Sequence, residues 1–412
     1  MEERKYDLYS DEFRASTHET YATMREQDPV LRQPGLDGTT PIWFVTRHDD
    51  VLVLLMDDER FVLDPALVLT AEELEERRGP IPAELDARVN TNLLSKDGDD
   101  HRRLRRLVTK AFTPRMVAAL APRIQEIADE LLDAVEGTGE MDLVDSYAFP
   151  LPIIVIAELL GIPSADRDRF RLWSNSFVSP PLTEEDLERF IQHSEEFLGY
   201  LQALFDERRR DPTDDLVSAL VQAEEQGDSL SEDELYSMVV LLIVAGHETT
   251  VSLIANAVLA LLSNPDELEK LRRDPGLMPA AVEELLRFDS PVERTLTRWV
   301  AKDGEFGGQT MKRGEIVIAV IGSANRDSDR FPDAARLDLT RADTKHVAFG
   351  RGSHFCLGAP LARLEAQIAL ATLLERFPSL RLAASSDALE YRPIPLFRSL
   401  VSLPVAWEPS RA

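Results

Sequence analysis

The sequence predicts a mainly α-helical protein with small β-sheets. Helical periodicity runs through most of residues 101–286 and returns in a last amphipathic segment, residues 357–377. Strand-like patterns are short and lie apart, chiefly in residues 41–63 and 292–321. Strands and helices do not alternate along the chain, so a parallel α/β sheet is not expected. Because no repeat or Gly/Ser-rich linker divides the sequence, we expect one large domain spanning residues 1–412.

Composition excludes several classes of protein. The 412 residues include 46 Lys and Arg against 74 Asp and Glu, which gives a net charge of −28. A surface this acidic repels phosphates, which argues against binding to nucleic acids and to anionic membranes. Apolar residues make up 44% of the chain, enough for a large core. The single cysteine, Cys356, excludes an intrachain disulfide and any cluster held by several thiolates.

The N-terminus and the most apolar stretch bear on the location of the protein. The first twelve residues are charged and contain no apolar signal-peptide core, so we expect a cytoplasmic protein. Residues 236–262 are apolar enough to suggest a membrane span. However, His247 and Glu248 lie at the centre of this stretch, where a bilayer would penalise them. A buried helix of a soluble protein is therefore the better interpretation.

In the first part of the chain, residues 41–63 predict a strand, a helix and a second strand. Residues 64–100 are charged and are expected to be irregular, because helix and strand breakers recur at Pro65, Pro80, Pro82 and Gly98. A helix capped by Asp99 or Asp100 should follow and end before Pro114.

A long apolar helix dominates the middle of the chain. Ser231 and Glu234 form a capping-box pattern at its start, and the helix should run to about Ser263. Asn264-Pro265 is typical of the start of another helix. Strands are expected on both sides of Gly307-Gly308 and in the last segment, VSLPVAWE.

The strongest local signal surrounds the only cysteine. Residues 349–358 read FGRGSHFCLG, so Cys356 lies in a glycine-rich loop at the start of a helix. A helix N-terminus favours the thiolate, and the glycines let the backbone approach a flat, bulky group. One thiolate with open space above it suits the proximal ligand of a haem iron. The loop alone leaves two alternatives open: a small structural cysteine, and a nucleophile activated by His354.

The cysteine loop resembles the haem-binding loop of the cytochrome P450 family. The shared pattern is Phe349-x-x-Gly352-x-x-x-Cys356-x-Gly358, and the following residues, APLARLE, are similar to those of soluble bacterial members. The similarity extends from about residue 40 to residue 406. It implies the cytochrome P450 fold, in which a helix-rich domain and a smaller β-rich region surround a buried haem b. Cys356 would be the iron ligand, and the haem would also contact Ala245, Phe349, Gly350 and Gly358.

Polar residues interrupt the apolar pattern of the long helix. Residues 245–250 read AGHETT, and polar groups in such a place must be satisfied or functional. The bland interpretation is that the threonines bond the preceding turn and Glu248 is paired inside the core. The sequence also resembles the family's oxygen-activation motif, which implies a widened helix groove, with Glu248 as the acid and Thr249 as the alcohol that deliver protons. His247 is expected to be a neighbour in the helix rather than a catalyst.

Further resemblances concern the support of the haem. Glu284 and Arg287 match the family's E-x-x-R motif, whose role is structural, and Arg336 matches the third partner in a segment that otherwise departs from the pattern. The residues that match contacts to the haem propionates are His101, Arg105, Arg298 and His354. For each one separately, a surface ion pair is an equal alternative.

A basic helix face runs against the acidic character of the whole chain. A helical wheel places four basic side chains on one arc: Arg102, Arg103, Arg106 and Lys110. A solvated face is the bland interpretation. The sharper one is a docking surface for an acidic ferredoxin or flavodoxin, because the family places this helix on the cysteine side of the haem. No reductase sequence is fused to the chain, so NAD(P)H would act only indirectly, through separate proteins.

The resemblance also outlines a substrate pocket, although each of its members is equally a core residue. The candidates are Leu93, Leu94, Phe177, Val178, Val244, Val292, Leu296, Leu396 and Phe397. Their apolar character suggests an apolar substrate. Glu293 and Arg294 could add polarity or face solvent.

Together these features predict a monomeric haem-thiolate monooxygenase. It would insert one atom of O2 into a C–H bond, by hydroxylation or epoxidation, of a macrolide or other polyketide, terpenoid, steroid or fatty acid. One alternative is a peroxide-driven haem peroxygenase, although such members of the family usually lack the acid–alcohol pair. The others are a non-catalytic partner protein with the haem fold, and a cysteine hydrolase.

Overall fold

The computed structural model describes residues 4–77, 79–178, 183–225 and 228–408. Helices and small sheets alone build this part of the chain, which confirms the predicted fold class. Its helices are α1 (Asp11–Ala15), α2 (Thr17–Gln27), α3 (His48–Met56), α4 (Ala71–Glu76), α5 (Ala83–Asn90), α6 (Gly98–Ala111), α7 (Pro114–Ala119), α8 (Ala121–Asp133), α9 (Pro150–Leu159), α10 (Arg167–Val178), α11 (Glu184–Arg210), α12 (Leu216–Val221), α13 (Glu232–Ser263), α14 (Pro265–Arg273), α15 (Met278–Phe288), α16 (Ile321–Ala324) and α17 (Ala359–Arg376).

The strands are shorter than the helices and lie mostly near the two ends of the chain. They are β1 (Val30–Pro34), β2 (Pro41–Val45), β3 (Phe61–Val62), β4 (Glu140–Asp142), β5 (Glu224–Glu225), β6 (Asp228–Ser229), β7 (Arg298–Val300), β8 (Gly304–Phe306), β9 (Gln309–Met311), β10 (Ile316–Ala319), β11 (Arg381–Leu382) and β12 (Pro404–Ala406).

The chain packs into two compact units that are interleaved in sequence. The first unit consists of residues 1–69, 128–148 and 249–412, and the second consists of residues 70–127 and 149–248. The single domain expected from the sequence stays a prediction.

A five-stranded sheet organises the first unit, with the strand order β1-β2-β10-β7-β3. Strands β2 and β10 are parallel, with Ile42 opposite Ile316, and the other neighbours are antiparallel. Residues such as Val45 and Val317 are fully buried, and this face packs on α3 to form one hydrophobic core. The predicted strand, helix and strand over residues 41–63 are confirmed as β2, α3 and β3.

The predicted turn at Gly307-Gly308 joins β8 to β9 in an antiparallel hairpin. Both glycines have positive φ angles, 56° and 77°, which favour glycine over other residues. A Cβ atom on Gly307 would lie 2.3 Å from Cγ2 of Val30, so the turn also requires close contact with β1.

Helices α15 and α17 pack together in the first unit and carry the residues that flank the cysteine loop. A second sheet, β11-β12-β4, lies at the end of the chain and confirms the predicted last strand. The Tyr147 hydroxyl donates to the carbonyl of Ala369 at 2.9 Å, which ties this part of the unit to the middle of α17.

The second unit is almost entirely helical, and α10, α11 and α12 pack against one another. Its aromatic core joins Trp173 to Phe197, with ring centroids 5.2 Å apart, and Phe177 to the same ring at 5.6 Å. Helix α6 begins at Gly98 after Asp97, so its N-terminus lies two to three residues earlier than the predicted caps Asp99 and Asp100 imply. The first turn contains Asp99, which pairs with Arg102 instead of capping the helix.

Helix α13 remains α-helical through residues 245–250, so the polar motif does not break it. Among the described residues it is also the candidate membrane span, by length and composition alone. Of its most apolar window, 67% is buried inside the protein, as expected for a core helix.

Candidate active site

The backbone conformation of the cysteine loop depends on two glycines. Gly350 and Gly352 have φ angles of 69° and 74°, in the left-handed region where side chains are disfavoured. The Cys356 amide donates to the carbonyl of Phe349 at 2.9 Å and closes the loop. Helix α17 begins three residues after the cysteine, with Gly358 as its N-cap, and a Cβ atom there would lie 3.9 Å from the sulfur. Cys356 itself is half-buried.

The loop packs tightly against the C-terminal end of α3. A Cβ atom on Gly352 would lie 2.8 Å from the carbonyl oxygen of Leu55, so no other residue fits there without a shift. The hydroxyl of Ser353 donates to a carboxylate oxygen of Asp58 at 2.6 Å. The path of the loop is therefore set by backbone contact on one side and by a hydrogen bond on the other.

Two of the predicted propionate residues lie in the first unit. Arg298 begins β7, is buried to 3% exposure, and donates from Nη1 to the carbonyl of Phe61 at 2.9 Å. The ion-pair contact to Asp58 is longer, at 3.9 Å. His354 is half-buried in the cysteine loop. Arg298 is thus a buried cation in the unit that contains Cys356.

The E-x-x-R pair is fully buried in α15. Arg287 donates to both carboxylate oxygens of Glu284, at 2.7 and 2.8 Å, in the bidentate arrangement that favours arginine. Its remaining nitrogen donates to the carbonyls of Asn325 and Ala334, both at 2.9 Å. The pair therefore connects α15 to the segment that precedes the cysteine loop, which agrees with a structural role.

Arg341 is the third member of the group formed with Glu284 and Arg287. The prediction that Arg336 would take this place was wrong. Arg341 donates to both oxygens of Glu284, at 3.1 and 3.2 Å. Arg336 contributes only its carbonyl oxygen, 3.3 Å from Arg287, and its side chain is 66% exposed and pairs with Asp338. Asp333 adopts a φ angle of 53°, and the Arg341 guanidinium also donates to the carbonyls of Pro332 and Asp333, so this turn folds around Arg341 rather than Arg336.

The second unit contains the acid of the predicted acid–alcohol pair. Glu248 is fully buried, and one of its oxygens lies 3.5 Å from Nε2 of His247. The imidazole also contacts Ser174, with Nδ1 3.2 Å from the hydroxyl, and packs edge-on against Phe149. His247 is therefore a neighbour of Glu248 in α13, and its ring contacts Ser174 and Phe149, which the sequence pattern did not reveal. Thr249, the next residue of α13, is half-buried.

A second buried acid, Glu365, was not recognised from the sequence as a site candidate. It lies in α17 with 1% exposure and forms a side-chain hydrogen bond with Thr250. Burial raises the pKa of Glu365 well above its usual value, and the Thr250 hydrogen bond offsets this only in part. Glu365 lies four residues from Leu361 and four from Ala369, and both of these residues are buried. This helical spacing was the signal that could have shown that Glu365 faces inward.

Helix α6 carries two of the predicted propionate residues and the predicted basic face. His101 is buried and Arg105 half-buried, one turn apart on the same helix. On the basic face, Arg106 and Lys110 are exposed, as predicted. Arg103 departs from this pattern, because it forms an ion pair with Glu234 and its side chain is only 23% exposed.

The predicted pocket residues are distributed over both units. In the first, Val292 forms an isolated bridge with Phe397, Leu396 is half-buried, and Leu296 is exposed. In the second, Leu93 is buried, while the half-buried members are Leu94, Phe177 and Val244. The side chain of Val178 lies outside the described residues.

Glu293 and Arg294 neither face solvent nor add an isolated charge to the pocket. Both are buried, and both side chains hydrogen-bond the hydroxyl of Tyr21. Arg294 also donates to the carbonyl of Leu8 at 2.9 Å. These residues therefore anchor the N-terminal segment inside the first unit.

Two independent observations fit a haem. In the second unit, Ala245 is exposed although the most apolar window of α13 is 67% buried, so its small side chain leaves this part of the helix accessible. In the first unit, the thiol of Cys356 is only half-buried, and the unit also contains the buried cation Arg298. A search of the described residues finds no group of three or more His, Cys, Asp or Glu able to hold a metal ion by themselves. A metal ion held by its own macrocycle needs only the one protein ligand.

Comparison with known proteins agrees with the fold and the loop. The family model for cytochrome P450 matches residues 162–275 and 276–388. The chain is 48% identical to cytochrome P450 107B1 of Saccharopolyspora erythraea, over 96% of both proteins. It is 44% identical to the mycinamicin IV hydroxylase/epoxidase of Micromonospora griseorubida, over 94% of each. The structure of PksS, the cytochrome P450 of the Bacillus subtilis bacillaene polyketide synthase, superimposes with a TM-score of 0.91 at 42% identity, covering 98% of this chain and 100% of that one.

The chain therefore belongs to the cytochrome P450 family, and it is a cytochrome P450 monooxygenase. Membership of the family implies a haem-iron cofactor.

Proposed function

We propose that Cys356 is the protein ligand of the haem iron in a monooxygenase that hydroxylates or epoxidises an apolar small molecule. The observation that carries this proposal is the cysteine loop, in which two left-handed glycines and the start of α17 present the only thiol of the chain. A purely structural cysteine would have no need of an accessible position. Cys356 is only half-buried, so its thiol remains accessible. Phe349, Gly350 and Gly358 of this loop, and Ala245 of α13, are proposed as further contacts of the cofactor.

We propose basic side chains as the partners of the haem propionates. Arg298 is buried and presents a guanidinium that is always charged, which makes it the principal candidate. His354, His101 and Arg105 are the further candidates. An anionic propionate would accept charge-assisted hydrogen bonds from the buried guanidinium, which are stronger than those to a backbone carbonyl.

Glu248 and Thr249 are proposed to move protons during turnover. Bound haem supplies the activation of dioxygen at its iron, and the protein controls the delivery of protons and the exclusion of water. The carboxylate of Glu248, beside His247, would take up a proton from solvent and, as the carboxylic acid, pass it to the hydroxyl of Thr249, which follows it in α13. A positioned carboxylate and a hydroxyl can order a short water relay of this kind.

A polyketide or macrolide is the substrate class that we propose. Two of the relatives described above are named for polyketide or macrolide chemistry, PksS and the mycinamicin IV hydroxylase/epoxidase. The candidate lining is apolar and includes an aromatic ring, Phe177, which favours a bulky apolar ligand over a charged one. Steroids, terpenoids and fatty acids are the other classes to test.

Electrons are proposed to come from a separate ferredoxin or flavodoxin with its reductase. Arg106, Lys110 and Arg102 are the exposed basic residues of α6 that would attract an acidic donor, and NAD(P)H would act only through the reductase. Arg103 contributes less, because Glu234 already neutralises it. We further propose that the protein acts as a cytoplasmic monomer.

Turnover with two different oxidant systems tests this function. We expect product from a macrolide panel with NADPH, ferredoxin, reductase and O2, after a substrate-induced spin-state change identifies the ligand. Turnover with hydrogen peroxide alone, and none with the electron donors, would establish the peroxygenase alternative. Absence of product and of spectral change with every class would favour a non-catalytic partner protein.

A further inference from the structure

Asp58 lies in the turn between α3 and β3 and contacts two elements that are distant from it in sequence. Its Oδ2 atom accepts a hydrogen bond from Ser353 in the cysteine loop at 2.6 Å. Its Oδ1 atom lies 3.9 Å from Nη1 of Arg298. Oδ1 is buried and has no hydrogen-bond partner, although the side chain as a whole is 37% exposed. The carboxylate thus turns one oxygen toward the loop and the other toward the buried guanidinium.

The local turn does not need this carboxylate. Asp57, the preceding residue, caps the turn by accepting from the backbone amide of Arg60 at 3.0 Å and pairs with the side chain of the same arginine. Asp58 is therefore available to contact Ser353 and Arg298, which lie 295 and 240 residues later in the sequence. The carbonyl of Phe61, three residues later, accepts a hydrogen bond from Arg298, so one short segment touches the arginine twice.

We infer that Asp58 is a positioning residue of the haem site, which fixes the cysteine loop relative to Arg298. This inference rests on the proposed function, in which Cys356 ligates the iron and Arg298 holds a propionate. Ser353 lies three residues before Cys356, so its hydrogen bond restrains the loop close to the sulfur. The close contact between Gly352 and Leu55 brings the same loop onto the segment that carries Asp58.

Asp58 also adds a fixed negative charge beside the proposed propionate arginine. A negative charge near a redox centre disfavours addition of an electron, so it lowers the reduction potential. Two separable effects follow. The hydrogen bond to Ser353 affects retention of the haem through the position of the loop, whereas the charge near Arg298 affects the potential.

Three substitutions in the holoenzyme separate these effects. Asp58→Asn should raise the haem reduction potential and speed haem transfer to apomyoglobin by roughly threefold to tenfold, the range for a partly exposed charged hydrogen bond. Ser353→Ala should speed haem transfer but leave the potential unchanged, because no charge is lost. Glu59→Gln is the matched control, because Glu59 is 91% exposed and its ion-pair partner is Lys302; it should change neither quantity.

Asp58→Glu keeps the charge and should therefore retain the reduction potential of the parent. This variant also serves as the test if Asp58→Asn is poorly loaded with haem. Equal shifts of potential in Asp58→Asn and Glu59→Gln, or no change in either quantity with Asp58→Asn, would overturn the inference. The CO spectrum of the parent protein distinguishes failure of the proposed function from failure of the inference about Asp58. If the reduced, CO-bound parent lacks the thiolate band, the proposed function fails; if the band is present and Asp58→Asn behaves as the parent, only this inference fails.

Discussion

Replacement of Arg341 by alanine should destabilise the protein strongly, because this side chain compensates a fully buried carboxylate. Glu284 has no exposed surface, and it accepts from Arg287, from Arg341 and from the backbone amide of Asp338. Arg341 itself is 10% exposed and also donates to the carbonyl of Pro332 at 2.7 Å. The substitution removes one of two guanidinium groups and leaves the negative charge in place.

The expected magnitude follows from the bonds that are lost. Loss of a partner from a buried ion pair costs about 3–5 kcal/mol when the charge is left without compensation. Arg287 remains in Arg341→Ala, so we expect the lower end, about 3 kcal/mol in the free energy of unfolding. This corresponds to roughly a hundredfold change in the ratio of folded to unfolded protein, since about 1.4 kcal/mol is a factor of ten.

Urea unfolding followed by tryptophan fluorescence measures this loss, with Arg336→Ala as the matched control. Arg336 is 66% exposed and pairs with Asp338 at the surface, so its removal should cost less than about 1 kcal/mol. Equal losses in the two variants, or a larger loss for Arg336→Ala, would refute the assignment of Arg341 as the third partner of Glu284.

Three further predictions concern protons. Thr249→Ala should consume NADPH with little product and release peroxide instead, whereas Thr249→Ser should restore coupling; product formed per NADPH is the measurement. Burial raises the pKa of Glu365 in the folded state, so its contribution to stability is full below the unfolded value near 4.5 and declines as pH rises. Glu365→Gln should therefore gain stability over the parent as pH increases, and a constant difference in urea midpoint would contradict this. Burial and the nearby Arg326 lower the pKa of His18 to about 4, so its contribution is present above pH 6.5 and is lost as pH falls toward 4. His18→Gln should flatten the stability curve in that interval, and an unchanged slope would show that other groups cause it.

The architecture could be predicted from local patterns, because each of its main elements has a short-range cause. The strands around Gly307-Gly308 follow from turn chemistry, and α13 follows from an apolar run with a capping box at its start. The cysteine loop was predictable for the same reason. Its glycines are required by left-handed backbone angles, which a sequence pattern can record.

Partner choice among charged residues could not be predicted, because it depends on tertiary contacts. Arg336 fits the sequence pattern better than Arg341, but in the folded chain the guanidinium of Arg341 reaches Glu284 while that of Arg336 is exposed. Likewise, a helical wheel places Arg103 on the basic face of α6. Glu234, 131 residues away, neutralises it in the folded chain.

Buried polar contacts also could not be predicted from local sequence patterns. The sequence placed His247 beside Glu248 in a helix, but the contact that orients its ring comes from Ser174. The Asp58 carboxylate likewise acquires its role only when the cysteine loop and β7 approach the end of α3.

The spectrum of the reduced, CO-bound protein tests the central claim most directly. We expect the parent to show the red-shifted Soret band of a thiolate-ligated haem, because Cys356 is the only sulfur donor of this kind in the chain. Cys356→Ala should lose this band while the far-UV circular dichroism of the protein is retained. A parent without the band, or a Cys356→Ala variant that keeps it, would contradict the account.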